Sequence, residues 1–152
     1  MPRTIAIGEH LPDMSLPDQK GETTKLSDLW KKGPMVLYFY PKDETPGCTA
    51  EACTFRDQFT DFESAGARVV GVSSDSPESH RKFAEKHRLP FTLLSDQGGK
   101  LRKELGVPKT LGLIEGRVTF VIDGKGVVRG VFNSQFRATK HVAEALEVLR
   151  KL

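Results

Sequence analysis

Two cysteines, Cys48 and Cys53, stand five residues apart in a chain of 152 residues that has no others. A cysteine attacks as its thiolate, so the first question is what surrounds the sulfur that favours an anion. Cys48 follows Thr45-Pro46-Gly47 and heads a stretch with helical apolar spacing, which sets it in a first helical turn. Unpaired backbone N–H groups and the positive end of the helix dipole then face the sulfur and favour its charge by about 1 kcal/mol. A guanidinium would add more, and it has to come from elsewhere in the chain. Glu51, one turn on, suits a helix N-terminus but works against a thiolate.

The spacing of the pair is itself informative. On a regular helix, residues five apart have Cα atoms roughly 8–9 Å from each other, beyond the reach of about 7 Å that disulfide geometry allows. Either the two thiols never pair, or the first turn unwinds when they do. A bond whose formation breaks its own helix is a poor staple, so the spacing speaks for a transient one. The plain alternatives stay open at this point: Cys53 as a buried apolar thiol, Cys48 as incidental. Two cysteines are too few for a secreted disulfide scaffold and suggest redox chemistry or metal binding instead. Zinc is poorly supported, since there is no second cysteine pair and no histidine close in sequence. His10, His80, His87 and His141 are scattered and read as surface residues.

The elements that must position these thiols can be read along the chain. Short alternating pieces at Met14–Leu16 and Thr23–Leu26 predict an N-terminal hairpin or arm. Met35–Tyr40 is a continuous apolar run, the pattern of a strand covered on both faces. A helix is expected from about Cys48 to Ser64, where Phe55, Phe59 and Phe62 recur at helical spacing before Gly66. Arg68–Ser73 reads as a second buried strand. Ser76 and Pro77 open a helix that runs to about Arg88. Phe91–Leu94 is a short strand and Gly99–Leu105 a short helix. Arg117–Ile122 and Val127–Phe132 flank Asp123-Gly124-Lys125-Gly126 as a hairpin, and Thr139–Leu152 closes with an amphipathic helix. This order predicts an α/β fold of the thioredoxin-like kind, over residues 1–152 as one domain, with a mixed sheet covered on both faces.

Lys and Arg number 23 against 20 Asp and Glu, a net charge of only +3. The basic clusters (Arg81, Lys82, Lys86, Arg88; Lys100, Arg102, Lys103) alternate with acids and apolar residues and read as solvated helix faces rather than a nucleic-acid surface. No apolar run approaches the ~20 residues of a membrane span. The first residues lack a secretion signal and are too short for a transit peptide.

The segment from Pro41 to Cys48, PKDETPGC, resembles the Pro-x-x-x-Thr-x-x-Cys signature of peroxiredoxins. The wider stretch Tyr38–Asp57 is similar to the bacterioferritin-comigratory-protein, or peroxiredoxin Q, subfamily with its Cys-x4-Cys pair. The similarity continues through Leu89–Asp96, Gly106-Val107 and Gly116–Asp123. It implies a peroxidase that reduces hydrogen peroxide and organic hydroperoxides, with Cys48 attacking and Cys53 resolving through an intramolecular disulfide. It further implies that Thr45 sets its hydroxyl against peroxide and thiolate, that Pro41 shields the pocket, and that Arg117 is the active-site arginine. A thioredoxin-like dithiol would be the reductant, with no metal or organic cofactor. A monomer is expected, because the resolving thiol lies on the same chain. Similar proteins occur in bacterial and cyanobacterial cytoplasm and, after removal of a transit peptide, in the plastid stroma. Gly98-Gly99-Lys100-Leu101 and the C-terminal EVLRKL lack the hyperoxidation-sensitive Gly-Gly-Leu-Gly and Tyr-Phe patterns, which implies a robust enzyme. Tyr38, Phe39 and Tyr40 are candidates for an apolar wall at the site. Two other readings remain: a general thiol–disulfide oxidoreductase, weakened by the missing Cys-x-x-Cys, and a redox-switched binding module.

Overall fold

The computed structural model describes residues 3–110, 114–135 and 137–152. In chain order, β1 (Ser15–Pro17) and β2 (Thr23–Lys25) form an antiparallel hairpin that leads into α1 (Leu26–Trp30) and β3 (Met35–Phe39). Next come α2 (Pro46–Asp57), α3 (Phe59–Ser64), β4 (Arg68–Ser73), α4 (Pro77–His87) and β5 (Thr92–Ser95). The chain continues through α5 (Lys100–Leu105), a small pair β6 (Lys109–Thr110) and β7 (Ile114–Glu115), β8 (Val118–Ile122), β9 (Val128–Asn133) and α6 (Lys140–Arg150).

Five strands build the central sheet in the order β5-β4-β3-β8-β9. β3 runs parallel to β4, and β4 to β5, whereas β8 is antiparallel to both β3 and β9. The sheet is therefore mixed, and the apolar run of β3 sits at its centre with all five residues buried. Alternation along β3 divides the core. Met35, Leu37 and Phe39 pack with α1 and α5 on one face; Val36 and Tyr38 pack with α2, α3, α4 and α6 on the other. Helices thus cover both faces, as the sequence pattern requires of a continuously apolar strand.

The expected single helix from Cys48 to Ser64 is two helices. It starts two residues earlier, with Pro46 at its first position, and breaks at Gln58, whose φ of −104° and ψ of 15° leave the helical region. Apolar spacing cannot detect such a break, because the phenylalanines stay on one side of the chain either way: the Phe55 and Phe62 rings still meet, tilted at 51° with centroids 5.4 Å apart. Arg102 is also corrected. Rather than lying on a solvated face it is buried, with its guanidinium donating to the Tyr40 carbonyl at 3.2 Å and standing over the Phe39 ring. Asp96 turns it inward by capping α5 through the amides of Leu101 and Arg102.

Tyr38 joins this sheet to the helix that carries the thiols. Its ring stacks on Phe55 of α2 at 4.6 Å and sits against β4 at Gly71, its register partner. A Cβ at Gly71 would stand 2.8 Å from the Tyr38 ring and 2.9 Å from Leu93, inside contact distance. Gly71→Ala is expected to destabilise the fold by about 1–3 kcal/mol, seen in urea unfolding as a lower midpoint with an unchanged slope.

Candidate active site

The carboxyl ends of parallel strands are where open α/β sheets leave a crevice, and the Pro41–Thr45 loop emerges there, directly after β3. Pro41 lies half-buried at the start of this loop. Thr45 takes the N-cap position of α2 with extended backbone, which makes Cys48 the third helical residue. The Thr45 hydroxyl leaves the helix amides free and donates instead to the Lys42 carbonyl at 2.8 Å. Cys48 is almost fully buried, at 1 % exposure, on the inner face of α2 with Glu51, Ala52 and Phe55. Cys53 is half-buried on the same helix, and both thiols are free. The helix is continuous from one to the other, so the Cα separation of roughly 8–9 Å inferred from the spacing holds.

The guanidinium comes from 69 residues away. The antiparallel register sets Phe39 opposite Val118, bringing the first residues of β8 beside the end of β3. Arg117, just before Val118, therefore points at the start of α2. One of its nitrogens donates to Cys48 Sγ at 3.3 Å, a second to Glu51 Oε1 at 2.6 Å, and Nε to the Gln135 carbonyl at 3.2 Å. Gly47 makes room for it: a Cβ there would lie 3.1 Å from the guanidinium. A fixed positive charge against the sulfur at 4 % exposure stabilises a thiolate far better than the same contact in water.

Glu51 is the residue whose part the sequence misread. Its carboxylate does not simply oppose the thiolate; it is fully buried and grips the arginine that serves the sulfur. Burial pushes its carboxyl up to about 8, with the Arg117 charge pulling the other way, and Oε2 has no hydrogen-bond partner. His141 lies behind it, Nδ1 at 3.8 Å from that orphan oxygen. His141 is buried rather than on the surface, and burial lowers it to about 4. The neutral ring has one tautomer that satisfies its neighbours: Nε2 donates to the Ser134 carbonyl at 2.7 Å and Nδ1 accepts from the Thr119 hydroxyl at 2.7 Å. The other overlooked histidine, His80, is equally buried and faces Asp43. No apolar or motif signal marked either one, because a buried histidine differs from an exposed one only by its tertiary partners.

Asp43, Asp75 and His80 gather ligand-type atoms within 4.8 Å of one another. The Asp43 and His80 atoms face each other at 2.7 Å, a hydrogen-bond distance. The expected apolar wall divides. Tyr38 and Tyr40 lie on the Cys48 side of the sheet, Phe39 on the opposite side, and all three are core residues. A cleft of about 290 Å³ lies at the far end of the sheet, between α1, α3 and the first residues of β4, and no cysteine or histidine lines it.

The two buried groups oppose each other in pH. Glu51 binds a proton more tightly folded than unfolded between about pH 4.5 and 8, so stability from it falls as pH rises through that range. His141 binds less tightly when folded between about pH 4 and 6.5, so stability from it rises there. Glu51→Gln removes the first effect alone. The stability of this variant relative to the parent is expected to climb from about pH 5 to 8, by at most about 1.4 kcal/mol per pH unit, as read from urea midpoints at each pH.

Residues 7–131 match the AhpC/TSA family. Peroxiredoxin Q, chloroplastic, from Populus jackii is 55 % identical over 146 residues, which cover 95 % of this chain and 68 % of that protein. The crystal structure of peroxidoxin BcpB from Mycobacterium tuberculosis superposes with a TM-score of 0.89 at 42 % identity, covering 96 % of this chain and 97 % of that one. A PrxQ mutant from Xylella fastidiosa gives 0.89 at 32 % identity, over 99 % and 98 % of the two chains. With a thiol at a helix start, a second thiol on the same helix and an arginine on the first sulfur, this chain belongs to the AhpC/TSA family as a peroxiredoxin of the Q, or bacterioferritin-comigratory, type: a thiol peroxidase.

Proposed function

We propose that Cys48 is the peroxide-attacking thiol, Cys53 the resolving one, and Arg117, Thr45 and Pro41 the groups that shape and charge their site. The observation that carries this reading is the Arg117 guanidinium, 3.3 Å from Cys48 Sγ and braced by Glu51 at 2.6 Å. Sulfur attack on a peroxide builds negative charge on the departing oxygen, and fixed donors aimed there lower the barrier most. Arg117 carries a permanent charge and several N–H donors, enough for thiolate and peroxide at once. The amides of the first turn of α2 supply further donors, while the Thr45 hydroxyl, whose own proton goes to the Lys42 carbonyl, accepts from the peroxide O–H. Pro41, at the mouth of the loop, keeps water from the thiolate.

The cycle balances without a cofactor. The Cys48 thiolate takes one oxygen of ROOH, the S–O bond forming as the O–O bond breaks. RO⁻ leaves as the alcohol after taking a proton, and Cys48 becomes a sulfenic acid. The first turns of α2 then unwind. The Cys53 thiolate attacks the sulfenic sulfur, an S–S bond forms as the S–O bond breaks, and hydroxide leaves as water after taking a proton. A dithiol of the thioredoxin kind returns two electrons by exchange and is itself oxidised to a disulfide. Hydrogen peroxide and organic hydroperoxides are both substrates in this reading. Support for the organic class comes from a related structure, a bacterioferritin comigratory protein of Xanthomonas campestris described for alkyl peroxide reduction, at 32 % identity and a TM-score of 0.82.

Residues 1–152 act in this reading as one domain and as a monomer, since both thiols lie on one helix. The relatives named chloroplastic and those of bacterial source support a plastid or bacterial cytoplasmic setting. Among the described residues no helix is long and apolar enough to cross a membrane.

Peroxide consumption with a thioredoxin reducing system tests the roles. Cys48→Ser is expected to be inactive, and Cys53→Ser to complete one turnover without recycling. Arg117→Met is expected to lose roughly 10²–10³-fold in the rate of the first step. Normal recycling by Cys53→Ser would return that residue to the core, and activity in Cys48→Ser would sink the reading.

A further inference from the structure

Asp43 lies five residues before Cys48, in the loop between β3 and α2, and only 5 % of it is exposed. Its carboxylate accepts from the Tyr40 hydroxyl at 2.6 Å and the Ser79 hydroxyl at 2.8 Å, and faces His80 Nδ1 at 2.7 Å. Its backbone N–H donates to Asp75 at 2.8 Å. The second nitrogen of His80 donates to the Leu94 carbonyl of β5 at 3.0 Å. Both ring nitrogens thus lie at hydrogen-bond distance from oxygen acceptors. A buried pair of this kind is seldom the most stable filling for a core; well-packed apolar side chains do as well or better. Its return lies in what it holds in place.

What it holds is the loop. One residue on, Glu44 has a φ of 66°, the left-handed region that a residue with a side chain enters only when its surroundings compel it. Its carboxylate meets His87 at 2.8 Å and Lys86 at 3.3 Å. Two consecutive loop residues are therefore tied to α4, Asp43 at its first turn and Glu44 at its last. The next residue is Thr45, whose hydroxyl takes its direction from within that loop, from the Lys42 carbonyl. Within α2 a further hydrogen bond to α4 lies past Cys53, from Arg56 to the His87 carbonyl at 2.7 Å. Cys48 and Cys53 both belong to the part that must unwind; the loop with Thr45 does not.

We infer that the Asp43–His80 pair is a positioning clamp for the peroxide-binding side of the site, holding Thr45 fixed on α4 and β5 independently of the helix that carries the thiols. The inference rests on the reading of Thr45 given under Proposed function. Asp43 and His80 touch neither sulfur nor peroxide; they act through Thr45. Their loss should therefore slow reaction with peroxide and leave the thiolate's intrinsic reactivity alone, because Arg117 and the start of α2 hold the sulfur separately.

The test compares two electrophiles on a Cys53→Ser background: hydrogen peroxide, which needs Thr45, and iodoacetamide, which needs only the thiolate. The variants are His80→Asn, Asp43→Asn, the milder Ser79→Ala, and Thr45→Val. In the first two, oxidation of Cys48 is expected to slow by about 10- to 10²-fold, with a smaller loss in Ser79→Ala. Iodoacetamide alkylation should keep the parent's rate and pH profile in His80→Asn, Asp43→Asn and Ser79→Ala. His80→Asn combined with Thr45→Val should be no slower than Thr45→Val alone. Parent-like oxidation in the clamp variants, with Thr45→Val slow, overturns the clamp and leaves the Thr45 reading intact. Parent-like oxidation in Thr45→Val overturns that reading and the clamp with it. Alkylation and oxidation falling together in the clamp variants shows general loss of structure and also overturns the clamp.

Discussion

The guanidinium of Arg117 is shared between a thiol sulfur at 3.3 Å and a carboxylate at 2.6 Å, and both partners sit one turn apart on α2. An arginine buried beside a thiol alone would be an expensive charge to desolvate. Glu51 gives it a hydrogen-bond acceptor inside the core, and the pair in turn fixes the guanidinium's plane so that a donor faces the sulfur. Much of the surrounding structure serves this contact. The β3–β8 register delivers Arg117, Gly47 leaves room for it, and the Gln135 carbonyl holds Nε.

The same helix that completes this contact has to abandon it. Cys48, Glu51 and Cys53 lie along one continuous α2, and a disulfide between the two thiols is incompatible with that helix. Glu51 bears on this conflict. A fully buried carboxylate with one oxygen unpartnered is a weak point in the folded arrangement. Unwinding the start of α2 returns it to water. The stabilising and the destabilising features of the site therefore sit on the same two turns, as expected where a segment must open during the reaction. Rigidity is supplied from elsewhere: the aromatic stack of Tyr38 on Phe55 anchors the later part of α2, and the Asp43–His80 pair anchors the loop before it.

Sequence patterning located the strands and helices well, because alternation and helical spacing report which face of an element is covered. It failed where burial depends on a partner far along the chain. Arg102, His80 and His141 look like surface residues in any window of sequence, yet each is buried against a carbonyl or carboxylate brought there by another element. Glu51 read as an unhelpful charge because Arg117 lies 66 residues away. Arg117 itself was legible only through family resemblance, since an arginine ahead of a strand carries no signal of its own.

Local chemistry and spacing were enough to determine that a thiol would sit at the positive end of a helix, and that its neighbour five residues on could pair with it only if the helix opened. Both conclusions follow from backbone geometry over two turns, which no later contact alters. Only the tertiary structure decided which charges surround that thiol: that a guanidinium reaches it, that a buried carboxylate braces the guanidinium, and that an aspartate–histidine pair tethers the loop in front. Those are encounters between residues from 37 to 69 positions apart, set by strand register and by which side chains the core excludes from water.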